Sequence, residues 1–179
     1  MIYRKYKDLD ISLLGMGNMR LPAIGAPMGP VDKPKAQEII DYVYANGVNY
    51  FDTAYMYHGG DSEVFLGEAF KKYPRESYYL ADKMPGFMIQ PGQSPKAIFE
   101  EQLKRCQTDY FDFYLLHNVS EVTINAYLNE DLMDYLLEEK RAGRIRNLGF
   151  SSHGNPDTLE KFIERWNCFD FVQIQLNYL

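Results

Sequence analysis

Short apolar runs alternate along this chain with longer segments in which apolar residues recur at helical spacing. The runs are Ser12-Leu13-Leu14-Gly15-Met16, Val48-Asn49-Tyr50-Phe51, Ser77-Tyr78-Tyr79-Leu80-Ala81, Phe111-Asp112-Phe113-Tyr114-Leu115-Leu116, Arg146-Asn147-Leu148-Gly149-Phe150 and Phe171-Val172-Gln173-Ile174. Apolar residues fill them almost throughout, as in parallel strands covered on both faces. A first helix is predicted over 33–45, where Ala36, Ile39, Ile40, Val43 and Tyr44 share a face and Asn46-Gly47 stops it. A second is predicted over 62–72, with Asp61 as its N-cap and Val64, Phe65, Leu66 and Ala69 on its apolar side. The others are expected over 95–106 after Ser94, over 132–141 before Ala142-Gly143, and over 156–166 after Asn155. Residues 2–13 read as a short hairpin leading into the first strand.

Strands that alternate with such helices imply right-handed crossovers and a parallel sheet, the α/β class. No linker or low-complexity tract divides the chain, so one domain over 1–179 is expected. A closed barrel of this kind needs eight units and typically about 250 residues. The pattern predicts about six, giving an incomplete (β/α)8 TIM barrel with an N-terminal β-hairpin, its C-terminal units missing and its open edge available for self-association. An open doubly wound sheet usually carries a glycine-rich phosphate turn. Gly15-Met16-Gly17 lacks the third glycine and is followed by no helix.

The chain is 46% apolar and 15% aromatic, which argues against wholesale disorder. A net charge of −6 with dispersed basic residues argues against nucleic acid as a partner. No run approaches the roughly 20 apolar residues of a membrane span, and the N-terminus has no leader-like apolar core. Cys106 and Cys168 are isolated and form no metal-ligand set, so the expectation is a cytoplasmic protein without a bound metal.

The chemistry sits where the runs end. Asp52 with Tyr57, then Lys83, His117, Ser151 and Gln173 close or follow successive runs, and in a parallel barrel such ends share one mouth. An isolated phenol titrates near pH 10, and a nearby ammonium favours its charged form. Lys83 is suited to tune Tyr57 in this way, and Asp52 to pair with Lys83. His117 is placed to hydrogen-bond a substrate oxygen. Such a set fits protonation of a carbonyl oxygen as hydride reaches its carbon. No side chain supplies hydride, so a nicotinamide cofactor must.

Phe51-Asp52-Thr53-Ala54-Tyr55-Met56-Tyr57, Ala81-Asp82-Lys83-Met84-Pro85, Leu115-Leu116-His117-Asn118 and Leu148-Gly149-Phe150-Ser151-Ser152-His153 together resemble the aldo-keto reductase family, in order and at its spacing. The resemblance implies a catalytic tetrad of Asp52, Tyr57 as general acid, Lys83 and His117. It implies cofactor contacts from Gly17, Asn18, Met19, Asp52, Ser151, Ser152 and Gln173, with Asn177 beside them. Ser152 stands where the family often has asparagine. The implied activity is reduction of an aldehyde or ketone with NADP as cofactor, NAD being the alternative.

Gly15–Pro22 and Gln173–Leu179 look most like a bacterial or archaeal subgroup. Some of its members carry a C-terminal iron–sulfur segment, whose ligands are not found here. In this family the grip on the adenosine and its phosphate comes largely from the last barrel units. The chain is therefore expected to bind cofactor poorly by itself. Three further readings stay open: a non-catalytic nicotinamide-binding regulatory subunit, an inactive fragment, and a Schiff-base lyase using Lys83. The loop over 22–34 is expected to wall the substrate pocket, with Arg20 facing an anion or a surface carboxylate. His58 and His153 are expected to line the mouth.

Overall fold

An antiparallel hairpin opens the chain: β1 (Tyr3–Tyr6) pairs with β2 (Leu9–Ser12), Tyr3 opposite Ser12 and Tyr6 opposite Leu9. The structure, a computed structural model, describes residues 1–90 and 92–176. It divides into two units. One holds Met1–Asp82 with Gln102–Thr108, the other Lys83–Glu101 with the chain from Asp109 onward.

In the first unit, β3 (Met16–Gly17), β4 (Tyr50–Asp52) and the start of β5 (Tyr79–Met84) run parallel in that order. Gly17 pairs with Asp52 and Asp52 with Ala81, so the polar strand ends are in register. Helix α1 (Lys33–Ala45) begins where Asp32 accepts from Lys35 N, and it buries Ala36 and Ile40. Helix α2 (Asp61–Ala69) tightens into a 3-10 turn over Phe70–Lys72. Phe51 meets Phe70 edge-on with centroids 4.8 Å apart, and Phe70 stacks on Tyr78 at 4.2 Å. Such pairs add about 0.5–1.5 kcal/mol each beyond their area burial.

In the second unit, β6 (Phe111–Val119), β7 (Ile145–Ser152) and β8 (Phe171–Ile174) are parallel neighbours in that order. Phe111 pairs with Ile145 and Ser151 with Gln173. Their crossovers are α4 (Glu130–Arg141), capped by Asn129, and α5 (Pro156–Arg165), capped by Asn155. Helix α3 (Pro95–Cys106) precedes β6, and Ser94 Oγ accepts from Ala97 N at its start. Phe150, Phe162 and Phe169 cluster with centroids 5.0–5.5 Å apart.

Several sequence expectations are corrected. The strands run past the apolar runs that Lys83, His117 and Ser151 close or follow, so these residues and Ser152 lie within β5, β6 and β7. The β6–β7 register shifts between Leu116 and Val119, across His117 and Asn118. The first parallel strand is only Met16–Gly17, because Ser12 belongs to the hairpin and is bonded to Asn49. Asp61 opens α2 rather than capping it. Gly60 precedes the helix, and the Asp61 carboxylate accepts from Val31 N at 2.7 Å.

Candidate active site

Within the first unit, Asp52 ends β4 and its carbonyl is held twice by Asn18, from the backbone N at 2.9 Å and Nδ2 at 2.8 Å. Tyr57 is 8% exposed and starts the 3-10 turn Tyr57–Gly60. The three residues after it are all left-handed: His58 at φ 53°, Gly59 at 64° and Gly60 at 95°. For His58 that conformation costs roughly 1–2 kcal/mol. It is held by the ring, whose Nδ1–H donates to Gly29 O at 2.7 Å. Gly60 is required by space as well, since a Cβ there would sit 2.8 Å from Arg105 Nη1.

Arg105, near the end of α3, braces the same loop. Its guanidinium lies 4.5 Å from the Tyr55 ring, donates to Tyr55 O at 3.4 Å and pairs with Glu63 at 2.8 Å. Glu63 is fully buried; burial pushes its carboxyl up while bonds from Arg105 and Gln102 pull it down, the rise prevailing.

The positions expected to face cofactor in this unit are Gly17, Asn18 and Met19. A Cβ on Gly17 would meet nothing within 4 Å, so its backbone borders open space. Asn18 is fully buried, and its Oδ1 has no hydrogen-bond partner. Met19 is 43% exposed and lines a cavity of about 580 Å³ with Arg20, Leu21, Ala23, Pro27 and Met28. Among the described residues, Arg20 makes no ion pair.

Within the second unit, Lys83 is 2% exposed on β5. Burial pushes the His117 imidazole down to about 3, assisted by the Lys83 charge and then by His153. His117 is therefore neutral at ordinary pH and remains a hydrogen-bond donor. Phe87 meets its ring edge-on at 5.9 Å. Ser151 Oγ accepts from Asn118 N at 2.8 Å and lies 3.5 Å from Leu116 O, a weak contact that leaves its proton redirectable. Asn118 holds φ 59°, and its Oδ1 is buried without a partner.

Ser152 differs. Its hydroxyl donates to Val119 O at 2.7 Å and accepts from Gly154 N at 2.9 Å, so its only proton is already used. Gln173 is exposed on β8 in register with Ser151. His153 is exposed and borders a cavity of about 390 Å³ with Gly154, Leu159 and Ile174. Asn177 lies outside the described residues. Among the described residues, no group of three or more His, Cys, Asp or Glu side chains is arranged to hold a metal.

The structure thus brings Asp52, Tyr57, Gly17, Asn18 and Met19 together in one unit, and Lys83, His117, Ser151 and Ser152 in the other. Three supporting residues escaped the sequence reading. Glu63 and Arg105 are 42 positions apart, with no local signal that links them. Tyr127 is one of 15 tyrosines and lies in a short 3-10 turn outside every motif.

A sequence model of the Aldo/keto reductase family matches residues 13–179. An uncharacterized oxidoreductase of Bacillus subtilis (strain 168), YqkF, is 32% identical over 174 residues, covering 92% of this chain and 52% of that protein. The NADH-specific methylglyoxal reductase of Escherichia coli (strain K12) is 28% identical over 189 residues, 96% of this chain and 57% of its own. Among solved structures, the holo form of an aldo-keto reductase from Bacillus halodurans superposes with a TM-score of 0.79 at 31% identity. It covers 98% of this chain and 58% of that one. The chain spans about half the length of the curated relatives it matches. Its six parallel strands and their helices match the corresponding part of that α/β barrel.

Proposed function

The chain belongs to the aldo/keto reductase family, and from that premise we propose that the protein reduces an aldehyde or ketone, with Tyr57 as the proton donor. The observation that carries the proposal is the pairing of a buried Lys83 with an imidazole that stays neutral beside it. A neutral His117 donates a hydrogen bond to a carbonyl oxygen and orients it, without competing with Tyr57 as the acid. In the family's catalytic set a lysine ammonium favours the phenolate that remains once the tyrosine has delivered its proton, the role we assign to Lys83. Asp52 completes the family's catalytic set.

A reduced nicotinamide supplies the hydride when bound. The residues of the second unit fit its carboxamide: the orphaned Oδ1 of Asn118 is an acceptor, the Ser151 hydroxyl is weakly held, and the Gln173 amide is exposed. Buried acceptors without partners are costly, and a ligand's amide protons offset that cost. Ser152 supports Val119 and Gly154 instead, and we do not assign it a cofactor bond. NADP is our proposed cofactor. The NADH specificity named for the Escherichia coli relative makes affinity for both the measurement that fixes the choice. The setting we propose is cytoplasmic, with both cysteines as free thiols. Among the described residues, no helix is long and apolar enough to cross a membrane.

Tyr57→Phe in the full-length protein keeps the ring and removes the proton. Steady-state reduction of an aldehyde panel should fall by about 10²–10⁴-fold, while cofactor affinity, read from nicotinamide fluorescence, stays within twofold. Undiminished turnover by this variant refutes the assignment. Cofactor binding by the wild type with no reduction of any aldehyde favours the regulatory-subunit reading.

A further inference from the structure

Tyr127 is fully buried, and its phenol oxygen is aimed at main chain rather than at another side chain. The hydroxyl donates to the carbonyl of His117 itself. It also lies 3.2 Å from Met84 O, the residue after Lys83, and accepts from Gly86 N at 3.2 Å. One phenol therefore ties the backbone of one sequence-predicted catalytic position, His117 in β6, to that of Met84, the neighbour of another at the end of β5. The 3-10 turn Ile124–Tyr127 delivers it, and Trp166 Nε1 donates to Tyr127 O at 3.1 Å from the far side. Gly86 is shaped to the ring: a Cβ there would overlap the Tyr127 edge. Burial pushes the Tyr127 phenol up, so it stays protonated and keeps donating.

We infer that Tyr127 is a positioning residue for Lys83 and His117, setting where the imidazole and the ammonium stand by fixing the main chain beneath them. This rests on the proposed reductase reading for its catalytic consequence, though not for its structural one. The distinction from ordinary core packing is chemical. A packing residue acts through its ring, whereas this role belongs to the hydroxyl, which no apolar neighbour replaces. Removing the oxygen leaves the His117 carbonyl and the Gly86 N–H short of a partner in a buried site, so the strand ends shift to find others.

The test uses two variants of the full-length protein. Tyr127→Phe removes only the oxygen, and Gly86→Ala displaces the ring while leaving the phenol intact. Each is expected to lower kcat about tenfold to hundredfold, as for a misplaced catalytic group, with cofactor affinity within twofold of wild type. A second readout needs no turnover: the ring protons of His117, followed by NMR against pH, should titrate at least one pH unit higher in both variants as the imidazole leaves its buried seat. A variant that loses thermal stability yet keeps wild-type kcat and an unmoved His117 titration overturns the inference and makes Tyr127 packing alone. Loss of reduction in Tyr57→Phe with no change in Tyr127→Phe sinks this inference and spares the reductase reading. A wild type that reduces nothing sinks the reductase reading, while the titration still decides whether Tyr127 holds His117.

Discussion

His117 shows how one residue's surroundings set both its chemistry and a pH signature. Free histidine titrates near 6.5, whereas burial, the Lys83 charge and His153 push His117 down to about 3. Between those values the unfolded chain binds a proton that the folded chain refuses, so linkage makes stability fall as pH drops through this window. The contribution is complete above about pH 6.5 and is lost progressively toward pH 3. Urea midpoints measured at pH 7 and pH 4 should show the wild type losing more stability than His117→Gln, which has no proton to gain. An equal loss in both proteins contradicts the depressed titration. Asp52, Tyr57, Lys83 and His117 were legible as candidates in the sequence because each lies in a recognisable motif. Tyr127 was not, because its partners are main-chain atoms of residues 10 and more than 40 positions away. A backbone carbonyl leaves no mark on a sequence.

At the scale of elements, the helix boundaries were readable at the Asn46-Gly47 stop of α1 and the Asn155 cap of α5, whereas α4 begins at Glu130 after Asn129, before the expected 132, and Asp61 does not cap α2. The strand ends were not, since Lys83 and His117 look like the end of an apolar run and yet β5 and β6 run on past them. The tightest helix contact was also hidden. Gly67 of α2 lies so close to the end of α3 that a Cβ would overlap the Arg105 carbonyl. This close approach lets the Arg105 side chain reach Glu63 and the Tyr55 ring, and so brace the left-handed turn after Tyr57. Arg105→Leu leaves a buried Glu63 without its cation, a change that costs about 3–5 kcal/mol when a buried pair is broken. Replacing both residues by Leu and Gln removes the stranded charge and should recover part of that loss. Denaturant unfolding of the two single variants and the double variant measures it, and purely additive losses argue against coupling.

For the whole molecule, the most telling surface is β8. It is bonded on one side to β7, and no described strand pairs with its other side. Val172 is 46% exposed and Ile174 54%, with Leu176 beyond them at 87%. A strand edge that presents unpaired N–H and C=O groups alongside apolar side chains is a template for another strand. Natural edges are blunted by lysine or proline, and the segment Phe171-Val172-Gln173-Ile174 has neither. The polypeptide 1–179 should therefore self-associate as its concentration is raised, as read by light scattering on a sizing column. Val172→Lys with Ile174→Lys places charge along this edge without touching Gln173, and should shift the population toward monomer. The net charge of −6 opposes close approach of two copies, so added salt should strengthen the association if the apolar edge is responsible. A wild-type chain that stays monomeric at low and high salt alike shows that β8 is not an adhesive edge. An unchanged oligomer in the lysine double variant places the contact elsewhere on the surface.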